Sequence, residues 1–454
     1  MAVFAGVGWN WLDWAGMGLN RLKWAGMDWN ELELLGINDQ NIDICIVGFQ
    51  EVGSRLDRLF QDVFIDGEDP WTNSVRQELA EYDYVKVLSK RYFGAVISVF
   101  CLRKHLVHLR NMEVQYISFV EDLTLYGNTL LIGKSGALKG GVSVRFELYS
   151  KSFCFVCSHL EHNTDYDMLE KRIQHYDMVI NNIRFQSNNQ SLTILDHDYV
   201  IWIGDLNFRL EPKSYTHAEI VQMISTGNLL ALKKVDQLLK TRNSGKAFQG
   251  FHEHEGEPKF APTYKFKIGT NVYDKKRCPA WTDRILYKEK EAQQSDTENA
   301  TSKMQSSRYE SRTGENFQCS DHRPVSCDFT CFVVKKEIQI PSNQNVVKFL
   351  QSNETPVEWW TNDNTEIKLA IPYEVAQDGE QEMNGWDWIG LYHEHFTSFD
   401  DYVTFTWAVK YPQDSSIKNA FITSHYIDKG CNYVAVYHSA KSSILGLSEA
   451  FEIK

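Results

Sequence analysis

Short apolar runs alternating with amphipathic stretches organise most of the chain. Ile44-Cys45-Ile46-Val47-Gly48-Phe49 reads as a buried strand that ends by delivering Gln50-Glu51. Gly94 to Cys101 reads as another strand. Val142, Val144, Phe146 and Leu148 alternate with Ser143, Arg145, Glu147 and Tyr149, the period of a strand with one covered face. Leu169, Ile173, Tyr176, Ile180 and Ile183 recur at steps of four and three, which predicts a helix with one apolar face. Tyr199 to Ile203 is a further buried strand, a second helical stretch runs from His217 to Leu239, and a last strand lies near Val325 to Val333. Strands separated by helices, with hairpin-like pairs between them, predict a layered α/β sandwich. Residues 288–316 are rich in Ser, Thr, Glu, Gln and Lys, and read as a flexible loop.

From about 338 to 454 the helical period disappears. Runs such as Tyr402-Val403-Thr404-Phe405-Thr406-Trp407-Ala408 and Tyr433-Val434-Ala435-Val436-Tyr437, with turn residues between them, predict a β-sandwich module. Trp386, Trp388 and Trp407 are expected in its core. At the other end, Leu12-Asp13-Trp14-Ala15-Gly16-Met17 is echoed by Leu22-Lys23-Trp24-Ala25-Gly26-Met27 and more loosely by Leu32-Glu33-Leu34-Leu35-Gly36-Ile37. Three copies of ten residues are short for a solenoid. Residues 1–40 are therefore set apart as a Trp-rich segment that packs on the next domain, with no strand assigned to it.

At 454 residues the chain has room for two or three domains. Its net charge of -13 argues against a broad nucleic-acid surface, while leaving room for a small basic pocket. Nine scattered cysteines suit reduced thiols in the cytosol rather than a disulfide framework. Cys154 and Cys157 form a lone CxxC on a strand, where residues three apart face opposite ways, so a zinc site is not expected. No apolar run approaches the roughly 18 residues of a membrane span, so the expected meeting with a membrane is at its surface.

Two runs carry the candidate chemistry: Trp202-Ile203-Gly204-Asp205-Leu206-Asn207-Phe208-Arg209 and Pro279-Ala280-Trp281-Thr282-Asp283-Arg284-Ile285-Leu286. Each places acidic, amide or guanidinium groups against a predicted strand. Glu51, His159, Asp205, Asp283 and the Asp321-His322 pair all fall at such strand ends, which is intelligible if those ends meet at one rim. Hydrolysis of a phosphate ester needs a hard cation on carboxylate oxygen, a base for water and donors for the equatorial oxygens. Glu51 is the candidate metal ligand, Asp205 the base, and Asn207, His159 and His322 the donors. Asp321 could order the His322 imidazole, although neighbours on a strand face opposite ways and another carboxylate could do so instead.

These residues resemble the two signature motifs of the inositol polyphosphate 5-phosphatases, within the endonuclease/exonuclease/phosphatase superfamily. Gln50-Glu51, Lys139-Gly140-Gly141-Val142, Ser158-His159-Leu160, Pro262-Thr263-Tyr264-Lys265 and Ser320-Asp321-His322-Arg323-Pro324-Val325 extend the match over roughly residues 40–333. The resemblance implies a four-layer α/β/β/α sandwich and a Mg2+-dependent 5-phosphatase domain over 41–333. It implies that Lys139, Arg209, Tyr264, Lys265, Lys275, Lys276, Arg277 and Arg284 grip the phosphorylated head group. Trp388-Ile389-Gly390-Leu391-Tyr392, Asp400-Asp401-Tyr402-Val403 and Leu445-Gly446-Leu447-Ser448-Glu449-Ala450-Phe451 resemble a SKICH domain, an immunoglobulin-like all-β sandwich over 338–454. A 5-phosphatase core followed by SKICH is similar to the skeletal muscle and kidney enriched inositol phosphatase group. That implies phosphoinositide substrates at a membrane surface, protein partners through SKICH, and a cytoplasmic enzyme associating with the endoplasmic reticulum or plasma membrane.

Two departures bear on the site. The family's first strand carries Thr-Trp-Asn, whereas Asn10, Asn20 and Asn30 here lie in the repeat, with Asn20 at the most suitable distance from Glu51. The family loop Gly-Asn-Lys-Gly, which contacts the phosphate nearer the lipid tail, appears as Ala137-Leu138-Lys139-Gly140. A catalytically impaired phosphoinositide-binding scaffold is the alternative these departures motivate. A nuclease of the same superfamily is disfavoured by the acidic charge.

Overall fold

Two stacked β-sheets form the centre of the first domain. The computed structural model describes residues 2–10, 42–52, 69–92, 94–119, 123–126, 129–132, 139–162, 166–187, 190–291, 303–333, 346–351, 358–362, 366–376, 383–408 and 417–453. The strands of these two sheets are β1 (Ala2–Asn10), β2 (Ile44–Gln50), β3 (Tyr84–Tyr92), β4 (Ala95–Leu102), β5 (Leu109–Ser118), β6 (Gly140–Leu148), β7 (Lys151–His159), β8 (Tyr199–Asp205), β9 (Asp283–Glu289), β10 (Gln305–Ser311) and β11 (Val325–Thr330). One sheet runs β10-β11-β1-β2-β4-β3 and the other β9-β8-β7-β6-β5.

The apolar alternation decides the layering. Ile44, Ile46, Ile97, Val99, Val142, Val144, Phe146, Cys157, Ile201 and Ile203 meet in the core between the sheets. The residues that alternate with them, Cys154, Val156, Val200 and Trp202, face outward under helix α2 (Tyr166–Asn182). On the other sheet, Cys45, Val47, Phe49, Val96 and Phe100 face outward under helix α1 (Pro70–Ala80). Asp69 starts α1 by accepting from the Trp71 and Thr72 amides, with Pro70 at the first helical position. Helix, sheet, sheet, helix is the four-layer order that the family resemblance implies, and it refines the layered α/β sandwich read from the pattern. Cys154 and Cys157 indeed fall on opposite faces of one strand. The sheets approach closely at Gly48, where an added Cβ would lie 2.7 Å from Ile203 Cδ1.

Four sequence expectations need correction. No strand was expected before Ile42, yet β1 occupies the middle of the first sheet, antiparallel to β11 and parallel to β2, with Asn10 in register with Gln50. Its sequence, Ala-Val-Phe-Ala-Gly-Val-Gly-Trp-Asn, has the continuous apolar character of a two-face-covered strand, which the repeat that follows obscures. The end of β1 at Asn10 thus lies beside the end of β2, next to Glu51. The repeat over 12–37, with Asn20 and Asn30, lies outside the described residues, as does Leu138.

The expected loop 288–316 contains β10, an edge strand on β11. An edge strand buries little, and here Tyr309 is the one buried side chain of the seven. Residues 292–302 of that loop lie outside the described residues. The stretch His217–Leu239 is three helices, His217–Ser225, Leu229–Lys233 and Gln237–Asn243. It breaks at Gly227, whose φ is +72°, and at Asp236, which caps the third helix through the Leu239 amide.

The C-terminal strands are β12 (Val347–Phe349), β13 (Glu358–Asn362), β14 (Glu366–Val375), β15 (Trp388–His393), β16 (Thr404–Trp407), β17 (Ile417–Ser424), β18 (Asn432–Ser439), β19 (Ser443–Leu447) and β20 (Phe451–Glu452). They form two antiparallel sheets, β12-β14-β13 with β17 on β14, and β16-β15-β18-β19 with β20 on β18. Between them lies a core of Leu369, Ile371, Tyr373, Ile389, Leu391, Ile422, Ala435, Tyr437 and Leu445. The three tryptophans expected in that core are not there. Trp386 and Trp407 are exposed and pack edge to face, and Trp388 stacks on His438 outside the sheet. Period two explains it: with Ile389 and Leu391 facing inward, Trp388 must face outward.

Candidate active site

Strand register assembles the site. Gly140 pairs with His159, His159 with Asp205, and Asp205 with Asp283, so four strands bring one row of residues to the same rim. Lys139 immediately precedes that row. Across the sandwich, β2 ends at Gln50-Glu51 beside Asn10 of β1, and the Ser320–Arg323 loop leads into β11. The His159 Nε2 lies 3.7 Å from Glu51 Oε1 and 3.5 Å from Asp205 Oδ2, which places both carboxylates on one side of the molecule.

Both signature runs use tryptophan as a pin and the polar residues as cargo. Trp202 Nε1 donates to Ser158 Oγ at 2.9 Å and Trp281 Nε1 to the Phe260 carbonyl at 2.9 Å. Gly204 has φ +142°, and a Cβ there would sit 2.0 Å from the Ser158 carbonyl oxygen, so only glycine lets β8 lie this close to β7. The chain then turns sharply. The Asn207 amide donates to Asp205 Oδ1 at 3.0 Å, and the Asn207 side chain donates to the Leu160 carbonyl at 3.1 Å. Arg209 donates to the Asn207 side-chain oxygen and lies over the Tyr264 ring, 4.3 Å from its centroid. Glu51 and Asn207 both hold positive φ, 59° and 57°. Such backbone is costly for non-glycine residues and persists where surrounding contacts enforce it.

Asp283 organises the far side. Its carboxylate lies 2.9 Å from His322 Nδ1 and accepts from Thr263 Oγ1 at 2.7 Å and Thr282 Oγ1 at 2.9 Å. Burial works against charging His322, but Asp283, then Asp205 and Asp321, more than offset it and push its pKa up to about 10. His322 is thus an imidazolium at neutral pH. His159 is the opposite case: burial first, then the neighbouring Lys139, hold its pKa well below the ordinary value, so it is neutral. Burial draws the Lys139 ammonium down to about 8, against the pull of Asp205 and Glu51. Its Nζ contacts His159 Nε2. Asp205 is raised, by burial and then by Asp283.

Asp321, one of the two possibilities for ordering His322, accepts from Lys265 Nζ, and the imidazole is held by another carboxylate, Asp283, thirty-nine positions away. The expectation that Arg284 meets substrate is corrected. Arg284 is fully buried, with Nη2 2.6 Å from Glu253 Oε2 and Nη1 3.2 Å from Asp236 Oδ1. On β9 it faces away from Asp283, so its charge serves the core. Lys275, Lys276 and Arg277 form an exposed turn on the segment that carries Tyr264 and Lys265. Of the bracing residues, Thr263 and Thr282 lie inside the quoted motifs without an assigned role, and Arg172 and Gln237 were not singled out in the sequence. Arg172 and the Arg209 amide both donate to Gln237 Oε1, at 3.0 Å each. Such hydroxyl and amide braces have no sequence signature.

The residues fit a hard divalent cation. Among the described residues, Glu51 Oε2 is buried without a hydrogen-bond partner, as is Gln50 Oε1. The Glu51 pKa is raised by burial first, with Asp205 and Asp321 adding to it against Lys139 and His322. An orphaned buried carboxylate oxygen among acids is what an oxygen-ligated cation would satisfy. Asp205, Asp283 and His322 also offer ligand atoms within 4.8 Å of one another, but the Asp283–His322 ion pair already occupies two of the three.

A two-sheet sandwich whose strand ends gather carboxylates, imidazoles and an amide at one rim defines a phosphoesterase of the endonuclease/exonuclease/phosphatase class. Residues 10–328 match the Endonuclease/Exonuclease/phosphatase family 2, and residues 332–453 match the SKICH domain. The chain belongs to the inositol polyphosphate 5-phosphatases that carry a SKICH domain. It is 31% identical over 423 residues to mouse phosphatidylinositol 4,5-bisphosphate 5-phosphatase A, covering 92% of this chain and 39% of that protein. It is 31% identical over 440 residues to mouse inositol polyphosphate 5-phosphatase K, covering 91% of this chain and 84% of that protein. The inositol polyphosphate 5-phosphatase domain of spsynaptojanin, solved with inositol (1,4)-bisphosphate and calcium, superposes with a TM-score of 0.54 at 29% identity, over 74% of this chain and 86% of that one.

Proposed function

We propose that the chain removes the 5-phosphate from phosphatidylinositol 4,5-bisphosphate and phosphatidylinositol 3,4,5-trisphosphate by magnesium-dependent hydrolysis, with soluble inositol polyphosphates as further substrates. The observation that carries this is the His159–Asp205–Asp283 row, with Glu51 within reach of it and His322 held cationic beside it. The names of the relatives support the ester class. In this reading the buried Asp205 carboxylate accepts the proton of the attacking water. A bond forms from the water oxygen to phosphorus, and the bond to the inositol oxygen breaks. Asn207, neutral His159 and cationic His322 donate to the phosphoryl oxygens, where charge accumulates. Lys139 adds a second cation to the same centre. Glu51 would hold magnesium, which when bound neutralises phosphate charge and steadies the leaving oxygen.

Tyr264, Lys265, Lys275, Lys276 and Arg277 form the head-group side of the site. Clustered on one segment of an acidic chain, they make a local well for a multiply charged ring. No helix among the described residues is long and apolar enough to cross a membrane. The proposed setting is the cytoplasmic surface of the endoplasmic reticulum or plasma membrane, with SKICH offering a partner site.

The test is phosphate release from short-chain phosphatidylinositol 4,5-bisphosphate, with magnesium and with chelator. Magnesium-dependent release that Asp205→Ala abolishes is expected. Equal rates for wild type and Asp205→Ala would sink the proposal. Head-group binding without turnover would favour the scaffold reading, which retains only the Leu138 substitution in its support now that β1 supplies a first strand.

A further inference from the structure

Strand β18 is buried on both of its faces, which an antiparallel sheet at a domain surface does not require. Tyr433, Ala435 and Tyr437 point into the C-terminal module's own core. Val434 and Val436, alternating with them, join the core between the sheets of the phosphatase domain, together with Tyr392, Phe396 and Ile444. The continuous apolar run Tyr433–Tyr437 thus records two separate cores.

The phosphatase domain is shaped to receive this face. Its two sheets each end in an edge strand, β3 and β5, and each of these strands bulges at one point, between Lys86 and Leu88 and between Arg110 and Glu113. Bulges free backbone groups from the ladder and usually mark an edge that is not to be extended. Here backbone groups at or beside each bulge bond to the module. The Lys86 amide donates to the Thr397 carbonyl at 2.7 Å, and the Lys86 carbonyl accepts from the Phe399 amide at 3.2 Å. The Asn111 amide donates to Ser443 Oγ at 2.9 Å, and the Met112 amide to the Ser442 carbonyl at 3.1 Å. Charges frame the contact: Arg76 Nη1 lies 2.9 Å from Asp401 Oδ2, Lys86 Nζ 2.9 Å from Asp400 Oδ2, and Arg103 lies over the Phe396 ring while donating to the Phe396 carbonyl.

Register shows where this lies. Ser118 of β5 pairs with Gly140 at the catalytic row, whereas Arg110 pairs with Glu147 at the other end. Eight strand residues correspond to roughly 25 Å. On β3, Lys86 is likewise at the far end from Tyr92, which adjoins the Gly94 carbonyl that accepts from Val52 next to Glu51.

We propose that the SKICH module is a permanent structural base of the phosphatase domain, docked across both sheet edges at the pole opposite the catalytic rim, so that the two fold and move as one unit. The module then neither covers the active site nor swings on a tether. Its own docked face is closed to other partners.

Native-state hydrogen exchange on the full chain, read by mass spectrometry, tests this. Val436→Asp is expected to raise exchange at least tenfold in 84–88 and 109–112 of the phosphatase domain, while 435–437 and 389–391 in the module stay protected. Should that variant unfold the module, Phe396→Ala, at the edge of the contact, is read in the same way with a smaller rise. Unchanged exchange in 84–88 and 109–112 with Phe396→Ala, or a rise confined to the module in either variant, would overturn the proposal. So would two separate calorimetric transitions in the wild-type chain.

Discussion

His322 Nδ1 lies 2.9 Å from Asp283 Oδ2, and that carboxylate is itself fixed by the Thr263 and Thr282 hydroxyls. The pair joins the strand β9 to the loop before β11 and sits against Asp205, so one ion pair couples the two sheets at the rim. Its electrostatic consequence is a histidine that stays charged at neutral pH.

Asp283→Asn removes the charge that sustains the imidazolium. The His322 pKa is expected to fall toward its ordinary value, and kcat to drop about 10²–10³-fold, the range for losing one positioned donor to the transition-state oxygens. NMR titration of the His322 ring checks the first effect, and steady-state phosphate release the second. An unmoved ring pKa would mean that Asp205 and Asp321 hold the charge without Asp283.

The same pair fixes a pH dependence of stability. The folded pKa of His322 is raised to about 10 from 6.5, so the contribution is complete below pH 6.5 and is lost as pH rises through 10. The loss is expected to be on the order of a few kcal/mol. Urea unfolding of wild type and His322→Gln between pH 6 and 10.5 measures it. The two curves should converge at the alkaline end, and parallel curves would contradict the assignment.

Arg284→Met leaves Asp236 buried without its cation and Glu253 with only the longer contact to Arg242. Removing one partner of a buried ion cluster costs about 3–5 kcal/mol. Denaturant unfolding should register that loss, while KM for the head group in the folded fraction stays unchanged. A raised KM at normal stability would restore Arg284 to the substrate.

Lys275, Lys276 and Arg277 replaced together by alanine should raise KM several-fold with little change in kcat. The wild-type KM should also depend on salt more steeply than that of the triple variant, because exposed charges steer ligands through a screened field. Measuring KM at two ionic strengths separates this outcome from a fold defect.

By itself, the order of apolar and polar residues determined the layers and the identity of the rim. Ile44–Phe49, Val142–Leu148 and Tyr199–Ile203 carry their strand period openly, because burial of a pleated face demands it. The two polar runs stand out because acids, amides and arginines beside buried strands are costly without a purpose. What only the tertiary structure decided concerns pairing between distant positions. Asp283 rather than Asp321 orders His322, Arg284 turns into the core, and a strand ending at Asn10 runs beside the one that ends at Gln50. The tryptophans Trp386 and Trp407 lie outside the sandwich, and Val434 and Val436 belong to a neighbouring domain's core. Sequence spacing states which residues can share a face of one element. Which element lies across from that face is set by sheet register and by the volume left to fill, and neither is written in any local stretch of chain.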